Sequence, residues 1–175
     1  MNEATGFQRR AQAAVELYER NRRSYARMAR HVHDTLRDKC DPAGIHTIEH
    51  RAKDIGSFRT KALKGDGEGG RYRDPINEIT DLAGVRVIVF LRETVNSVCK
   101  IIASTYDIIE QEDVGERTFK QGRFGYQSIH LLVALDKRQY IGNDGDIKRA
   151  ICEIQVRTIL QHAWAEMEHD IQYKG

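Results

Sequence analysis

The stretch DLAGVRVIVF, residues 81–90, is an apolar, β-branched run that carries Asp81 at its start and Arg86 inside it. β-Branched residues favour strands, so the run predicts a core strand. A lone charge in such a strand is costly unless it faces a cleft or a partner. The sequence therefore predicts a buried strand in which the charged side chains of Asp81 and Arg86 face a cleft.

Strand and helix patterns alternate on both sides of this stretch. The other predicted strands are HTIEHRA (46–52), YDIIEQEDV (106–114), QSIHLLVAL (127–135) and AICEIQVRT (150–158). The predicted helices are ETVNSVCKIIAST (93–105), TILQHAWAEMEHDI (158–171) and a short SFRTKALKG (57–65) with Ser57 as its N-cap and Gly65 as its stop. Interleaved strands and helices indicate an α+β domain built on one mixed β-sheet flanked by helices.

Residues 7–39 contain no proline or glycine, and apolar residues recur there at spacings of three, four or seven. The pattern predicts one long amphipathic helix, or two, within an N-terminal helical segment (1–44) that precedes the sheet-forming part (45–175) of one compact unit. The opposite helix face is rich in arginine. This face is either solvated or contacts a polyanion or a partner subunit. Its arginines are Arg9, Arg10, Arg22, Arg23, Arg30 and Arg37.

The totals exclude several classes of protein. Lys and Arg number 28 against 26 acidic residues, a net charge of +2 that does not indicate a general nucleic-acid binder. No apolar run approaches a membrane span, and the N-terminus lacks the apolar region of a secretory signal, so we expect a cytoplasmic protein without a membrane partner. The three cysteines form no disulfide framework, and Cys99 and Cys152 lie in apolar segments typical of core thiols.

Two groups of polar residues stand out as candidate sites. In ICEIQVR, the residues Glu153, Gln155 and Arg157 share one strand face, opposite an apolar one. Asp81 and Glu153, on strands of one small sheet, are hard oxygen ligands suited to Mg²⁺. Upstream, three basic residues and a serine lie where a predicted strand ends and a predicted helix begins. Such a group suits a polyphosphate, although the same residues also fit a solvated surface. These residues are Arg51, Lys53, Ser57 and Lys61.

Four segments together resemble the successive signature motifs of the RelA/SpoT alarmone synthetase domain. They are RAKDIGSFRTK (51–61), DLAGVRVIVF (81–90), GYQSIH (125–130) and EIQVRTILQHAWAEMEHDIQYK (153–174), in the family's order. The resemblance covers roughly residues 45–174 and implies a nucleotidyltransferase-like fold. It implies transfer of the β,γ-pyrophosphate of ATP to the ribose 3′-hydroxyl of GDP or GTP, which releases AMP and makes (p)ppGpp.

The same resemblance implies a role for each matching residue. Arg51 and Arg86 would sandwich the adenine, and Lys53, Ser57 and Lys61 would hold the ATP phosphates. Asp81 and Glu153 would bind Mg²⁺, with Glu153 also accepting the proton of the 3′-hydroxyl. Tyr126 would stack on the acceptor guanine beside Gly125, which lets the backbone approach the base. On the acceptor side, further support would come from Ser128, His130 and Gln155.

Two alternatives remain open on the sequence. A toxin-like branch of the family modifies the 3′ end of tRNA or adenosine nucleotides, and Phe124 before Gly125 leaves the acceptor preference undecided. A non-catalytic nucleotide-binding module is the second alternative, and it would predict loss of Asp81 or Glu153. The dyad of His33 and Asp34 lies in a segment too short for the hydrolase domain of longer family members. Oligomeric state, including a homo-oligomer, is not determined by the sequence.

Overall fold

The computed structural model describes residues 3–65, 70–114, 128–136 and 150–174, without the side chains of residues 3–5 and 168–174. Within these ranges the helices are α1 (Glu3–Lys39), α2 (Ile55–Ala62), α3 (Pro75–Glu78), α4 (Arg92–Thr105) and α5 (Ile159–Lys174), with a 3₁₀ turn at Pro42–Gly44. The strands are β1 (Ile45–Ala52), β2 (Ala83–Val89), β3 (Asp107–Asp113), β4 (Ile129–Ala134) and β5 (Ile151–Thr158).

The five strands form one mixed sheet in the order β1-β2-β5-β4-β3. β2 and β5 pair in parallel at its centre, and the other neighbouring pairs are antiparallel. A parallel pair needs a crossover between its strands, and α4, β3 and β4 lie in the chain between β2 and β5. The predicted α+β fold with a mixed sheet flanked by helices is confirmed.

One face of the sheet is the core. Alternate residues of the two central strands are buried there, including Val85 and Val87 of β2 and Ile154 and Val156 of β5. The single long helix α1 joins the same cluster, as does α4. Side chains of α1 with no exposed surface are Tyr18, Met28, Ala29, Val32 and Leu36.

The opposite face of the sheet carries the polar residues of the central strands. Helix α5 contacts β5 and β2. His162 and Glu166 of α5 reach Arg157 of β5 on this polar face, and Arg157 is only 2% exposed as a result. Glu166 also reaches Arg86 of β2. Part of the polar face is therefore covered by α5, and another part bears a cleft over β1, β2 and β5.

The local start of α2 differs from the prediction. The helix begins at Ile55, and the Asp54 side chain caps it by accepting a hydrogen bond from the backbone N–H of Ser57 at 2.9 Å. The expectation of Ser57 as N-cap is wrong, because a carboxylate three residues earlier satisfies the first free N–H groups. The short α3 was not predicted from the sequence.

No helix among the described residues is both long enough and apolar enough to cross a membrane.

Candidate active site

Strand register places the polar residues in two rows across the sheet. The first row joins Glu49, Arg86, Gln155, His130 and Glu112, each the partner of the next on a neighbouring strand. The second row joins Arg51, Gly84, Glu153, Leu132 and Glu110 in the same way. Because side chains alternate along a strand, both rows lie on the polar face. Residues far apart in the sequence are thus brought into two adjacent lines.

A pocket of about 240 Å³ lies on the polar face, over the row residues of β1, β2 and β5. Gly84 has no side chain on the polar face, which leaves room between Arg51 and Glu153. The predicted residues Arg51, Asp81, Arg86, Glu153 and Gln155 all line this pocket. Its other lining residues are Glu49, His50, Gly84 and Val85.

Two lysines converge on Asp81 beside the pocket. Lys53 Nζ lies 2.5 Å from Asp81 Oδ2, and Lys61 Nζ lies 3.1 Å from Asp81 Oδ1. Burial raises the pKa of the Asp81 carboxyl, but the hydrogen bond and charge of Lys53, together with Lys61, outweigh that effect and hold the pKa below its usual value. Asp81 is therefore ionised at neutral pH, within a centre of net positive charge.

Glu153 lies between this pocket and a second one. The second pocket, of about 110 Å³, is lined by residues of β3, β4 and β5 and by Thr80. Glu153 lines both pockets, and its Oε1 is 3.2 Å from His130 Nδ1. The second ring nitrogen of His130 is buried and has no hydrogen-bond partner among the described residues. The Glu153 carboxylate is therefore shared by the two pockets.

Arg86 is held by carboxylates that sequence reasoning missed. Its Nη1 lies 3.4 Å from Glu49 and 3.7 Å from Glu166 of α5. Its Nε is buried without a hydrogen-bond partner in the described part of the chain. Glu49 was detectable as the residue two before Arg51 on the same strand face, whereas Glu166 required knowledge of where α5 lies.

Four predicted site residues are not seen at the two pockets or at Asp81. Ser57 is exposed on the first turn of α2, the helix that also carries Lys61. Ser128 is 3% exposed, and its hydroxyl lies 3.5 Å from the carbonyl oxygen of Val156, so its placement gives no support for acceptor binding. Gly125 and Tyr126 lie outside the described residues, and their roles stay predictions.

Asp81 and Glu153 are the carboxylates suited to a hard divalent cation. Each Asp81 oxygen has one lysine partner, and Glu153 contacts His130 through one oxygen, so lone pairs remain on both side chains. The described residues contain no group of three or more His, Cys, Asp or Glu that would enclose a metal. This arrangement suits Mg²⁺, which binds through one or two carboxylates and completes its shell with water and substrate phosphates.

Comparison with known proteins identifies the family. The family described as "Region found in RelA / SpoT proteins" matches residues 50–175. The chain belongs to the RelA/SpoT family. The matched segment contains all the pocket-lining residues that were predicted from the sequence, whereas α1 lies before it.

Relatives of this RelA/SpoT chain are known from Bacillus subtilis. The chain is 27% identical to the GTP pyrophosphokinase YjbM over 139 residues and to the GTP pyrophosphokinase YwaC over 135 residues. These matches cover 77% and 75% of the chain and 59% and 61% of the two relatives. The chain thus spans about three fifths of the length of the curated relatives that it matches.

Solved structures share the fold. The small alarmone synthetase 1 from Bacillus subtilis, bound to its product pppGpp, has a TM-score of 0.69 and 24% identity, with 91% of this chain and 81% of that chain covered. The small alarmone synthetase 2 from the same organism has a TM-score of 0.56 and 27% identity, with 75% and 64% covered. The structure of synthetase 1 with AMPCPP has a TM-score of 0.59 and 21% identity, with 90% and 78% covered.

Proposed function

We propose that this chain is a GTP/GDP pyrophosphokinase that makes (p)ppGpp from ATP and GDP or GTP. The observation that carries the proposal is the 240 Å³ pocket, in which five residues of the family motifs meet on one face of the sheet. Both relatives described above are named GTP pyrophosphokinases, and related structures hold pppGpp and an ATP analogue. The non-catalytic alternative predicted loss of Asp81 or Glu153, and both are present.

The donor ATP is assigned to the part of the pocket on β1 and β2. Arg51 and Arg86 line it and offer planar guanidinium groups on which an adenine ring stacks. Lys53 and Lys61 supply positive charge for the phosphates next to Asp81. Ser57 is one turn before Lys61 on α2 and is assigned to the same phosphates. These residues orient the donor and neutralise its charge, which is most of what phosphoryl transfer requires.

The acceptor nucleotide is assigned to the side of β4 and β5. Glu153 takes the proton from the ribose 3′-hydroxyl as the oxygen attacks the β-phosphorus of ATP. A new P–O bond forms there, the bond from the β-phosphorus to the α,β-bridging oxygen breaks, and AMP leaves. His130 and Gln155 border the acceptor in the first polar row, and Gly125 and Tyr126 are assigned to its base.

The divalent ion implied by the family would be held by Asp81 and Glu153. When bound, Mg²⁺ neutralises charge that develops on the transferring phosphates. Lys53 and Lys61 hold Asp81 on its two oxygens and so fix the direction of its remaining lone pairs. The lysines therefore serve both the phosphates and the carboxylate.

The test is a panel of acceptors incubated with ATP and Mg²⁺, followed by identification of products. Separate reactions contain GDP, GTP, no acceptor beyond ATP, or deacylated tRNA, and Glu153→Gln is the inactive control. We expect AMP and a 3′-pyrophosphorylated guanosine nucleotide with GDP or GTP. Labelled tRNA without any guanosine product would identify the toxin-like activity instead. No product with any acceptor would refute the proposed function.

A further inference from the structure

Helix α1 reaches the candidate active site through two side chains that precede the family-matched segment. Tyr18 is fully buried, and its hydroxyl donates a hydrogen bond of 2.6 Å to the backbone carbonyl of Lys53. Arg22, one helical turn later, donates from Nε to the same carbonyl at 3.1 Å and from Nη2 to the carbonyl of Ala52 at 3.4 Å. Two donors on one helix face thus meet at the carbonyl of a single site residue.

The position of Lys53 makes these contacts important. Lys53 is the only residue between the end of β1 at Ala52 and the N-cap of α2 at Asp54. Its backbone N–H donates to the carbonyl of Leu82 at 3.0 Å, directly after Asp81 in the chain. The backbone direction at this one residue therefore restricts where its ammonium group can lie relative to Asp81.

The Tyr18 side chain also fixes the neighbouring segments. Its hydroxyl oxygen lies 3.4 Å from the Leu82 carbonyl, although the single proton serves the shorter contact to Lys53. Its ring packs against Phe58 of α2, with 4.7 Å between ring centroids. Burial raises the pKa of the Tyr18 phenol, although Arg22 beside it acts to lower the pKa, so the group stays protonated and remains a donor.

We propose that Tyr18 and Arg22 are positioning residues that hold the Lys53 backbone and thereby set the Lys53–Asp81 pair for the ATP phosphates. The ligand part of this inference rests on the proposed function. The sequence pattern groups Arg22 with the outward-facing arginines of α1, but the structure places it half-buried against two carbonyls. Buried carbonyls at a strand end need donors, and here α1 supplies them.

The first experiment compares Tyr18→Phe with Tyr25→Phe as a matched control. Tyr25 is also buried on α1, its ring lies 5.3 Å from that of Tyr18, and among the described residues no hydrogen bond joins it to Lys53. The readouts are equilibrium affinity for AMPCPP and for GDP. We expect Tyr18→Phe to weaken AMPCPP binding about threefold to tenfold, because the variant loses one neutral hydrogen bond beside the residues assigned to ATP. GDP binding should stay unchanged. Equal AMPCPP affinities for the two variants, or equal losses for AMPCPP and GDP, would overturn the proposal.

Arg22→Gln provides the same comparison at a half-buried position, where folding is less at risk. Its control is Arg23→Gln, which removes the same charge from an exposed neighbour. We expect Arg22→Gln to weaken AMPCPP binding by a similar factor and Arg23→Gln to have no effect. Equal effects of the two changes would show a dependence on overall charge and would contradict positioning.

A thermal-melt cycle tests the positioning without any nucleotide. Tyr18→Phe is made in the parent and in a Lys53→Met background, in which no ammonium remains to be positioned. We expect the melting temperature to fall less in the second background, since residues that act through one another are not additive. Equal decreases would mean that Tyr18 only stabilises the fold. Because this cycle needs no nucleotide, it tests the positioning role separately from the proposed function. Failure of the parent to bind AMPCPP would count against the proposed function alone.

Discussion

His130 Nδ1 lies 3.2 Å from Glu153 Oε1, and Glu153 alone among the described residues lines both polar-face pockets. The carboxylate is thus oriented by a neighbour on β4 while it faces the donor pocket. Glu153→Gln keeps the shape but removes the proton acceptor. We expect kcat for AMP release to fall about 10²- to 10⁴-fold, the usual contribution of a general base, with AMPCPP affinity retained when it is measured without Mg²⁺.

Glu110→Gln is the matched control for this variant. Glu110 lies in the same polar row on β3 and lines the second pocket but not the first. We expect its kcat to stay within about threefold of the parent, because its carboxylate does not line the donor pocket where the attacked phosphate is assigned. Similar losses in the two variants would contradict the assignment of Glu153 as the base.

Asp81 is the ion-pair partner of two lysines, and its removal should affect both stability and activity. Asp81→Asn leaves Lys53, whose side chain is 11% exposed, without its counter-charge. We expect the free energy of unfolding at pH 7 to fall by about 2 to 4 kcal/mol, the range for breaking a largely buried ion pair with some exposure. Chemical denaturation measures this loss. Lys53→Met in the Asp81→Asn background should restore part of the stability without restoring turnover.

The pH dependence of stability follows from the lowered pKa of Asp81. A carboxyl whose pKa is lower in the folded than in the unfolded state stabilises the fold above its unfolded pKa of about 3.9. The stabilisation is lost as the pH falls through the folded pKa. We expect the stability difference between the parent and Asp81→Asn to be constant from about pH 5 to 8 and to shrink below about pH 4. A constant difference down to pH 2 would contradict the pairing.

Arg86 provides a test of stacking against simple charge attraction. Arg86→Lys keeps the charge near Glu49 but loses the planar guanidinium that is assigned to the adenine. We expect AMPCPP affinity to fall by about 1 to 2 kcal/mol, or roughly 5- to 30-fold, measured by calorimetry. Arg59→Lys, at an exposed position on α2, is the control and should bind as the parent does. Full affinity in Arg86→Lys would mean that charge alone is needed.

The sheet and the pocket were predictable because their signals are local. β-Branched runs set the strands, and alternation in ICEIQVR is sufficient to place Glu153 and Gln155 on one strand face. The charges of Asp81 and Arg86 within an apolar run indicated a cleft, and both line it. Strand order and register determine which residues become neighbours across the sheet. No local sequence pattern encodes that order or that register.

The contacts made between distant elements were not predictable in this way. Arg22 and five other arginines of α1 look alike in the sequence, but only the position of β1 shows that Arg22 meets two carbonyls. Ser57 and Asp54 are both good N-cap residues, and the exact end of β1 decides between them. Glu166 reaches Arg86 and Arg157 only because α5 returns across the polar face.

Tyr126 provides the test of the acceptor site, although it lies outside the described residues. The GYQSIH motif implies that its ring stacks on the acceptor guanine, and GYQSIH leads into β4, which carries His130 beside Glu153. Tyr126→Ala should weaken GDP binding by about 1 to 3 kcal/mol, a factor of roughly 5 to 150, and leave AMPCPP binding unchanged. Tyr126→Phe keeps the ring face and should retain most of the affinity. Tyr126 would instead be a core residue if Tyr126→Ala weakened the binding of GDP and of AMPCPP equally and melted well below the parent.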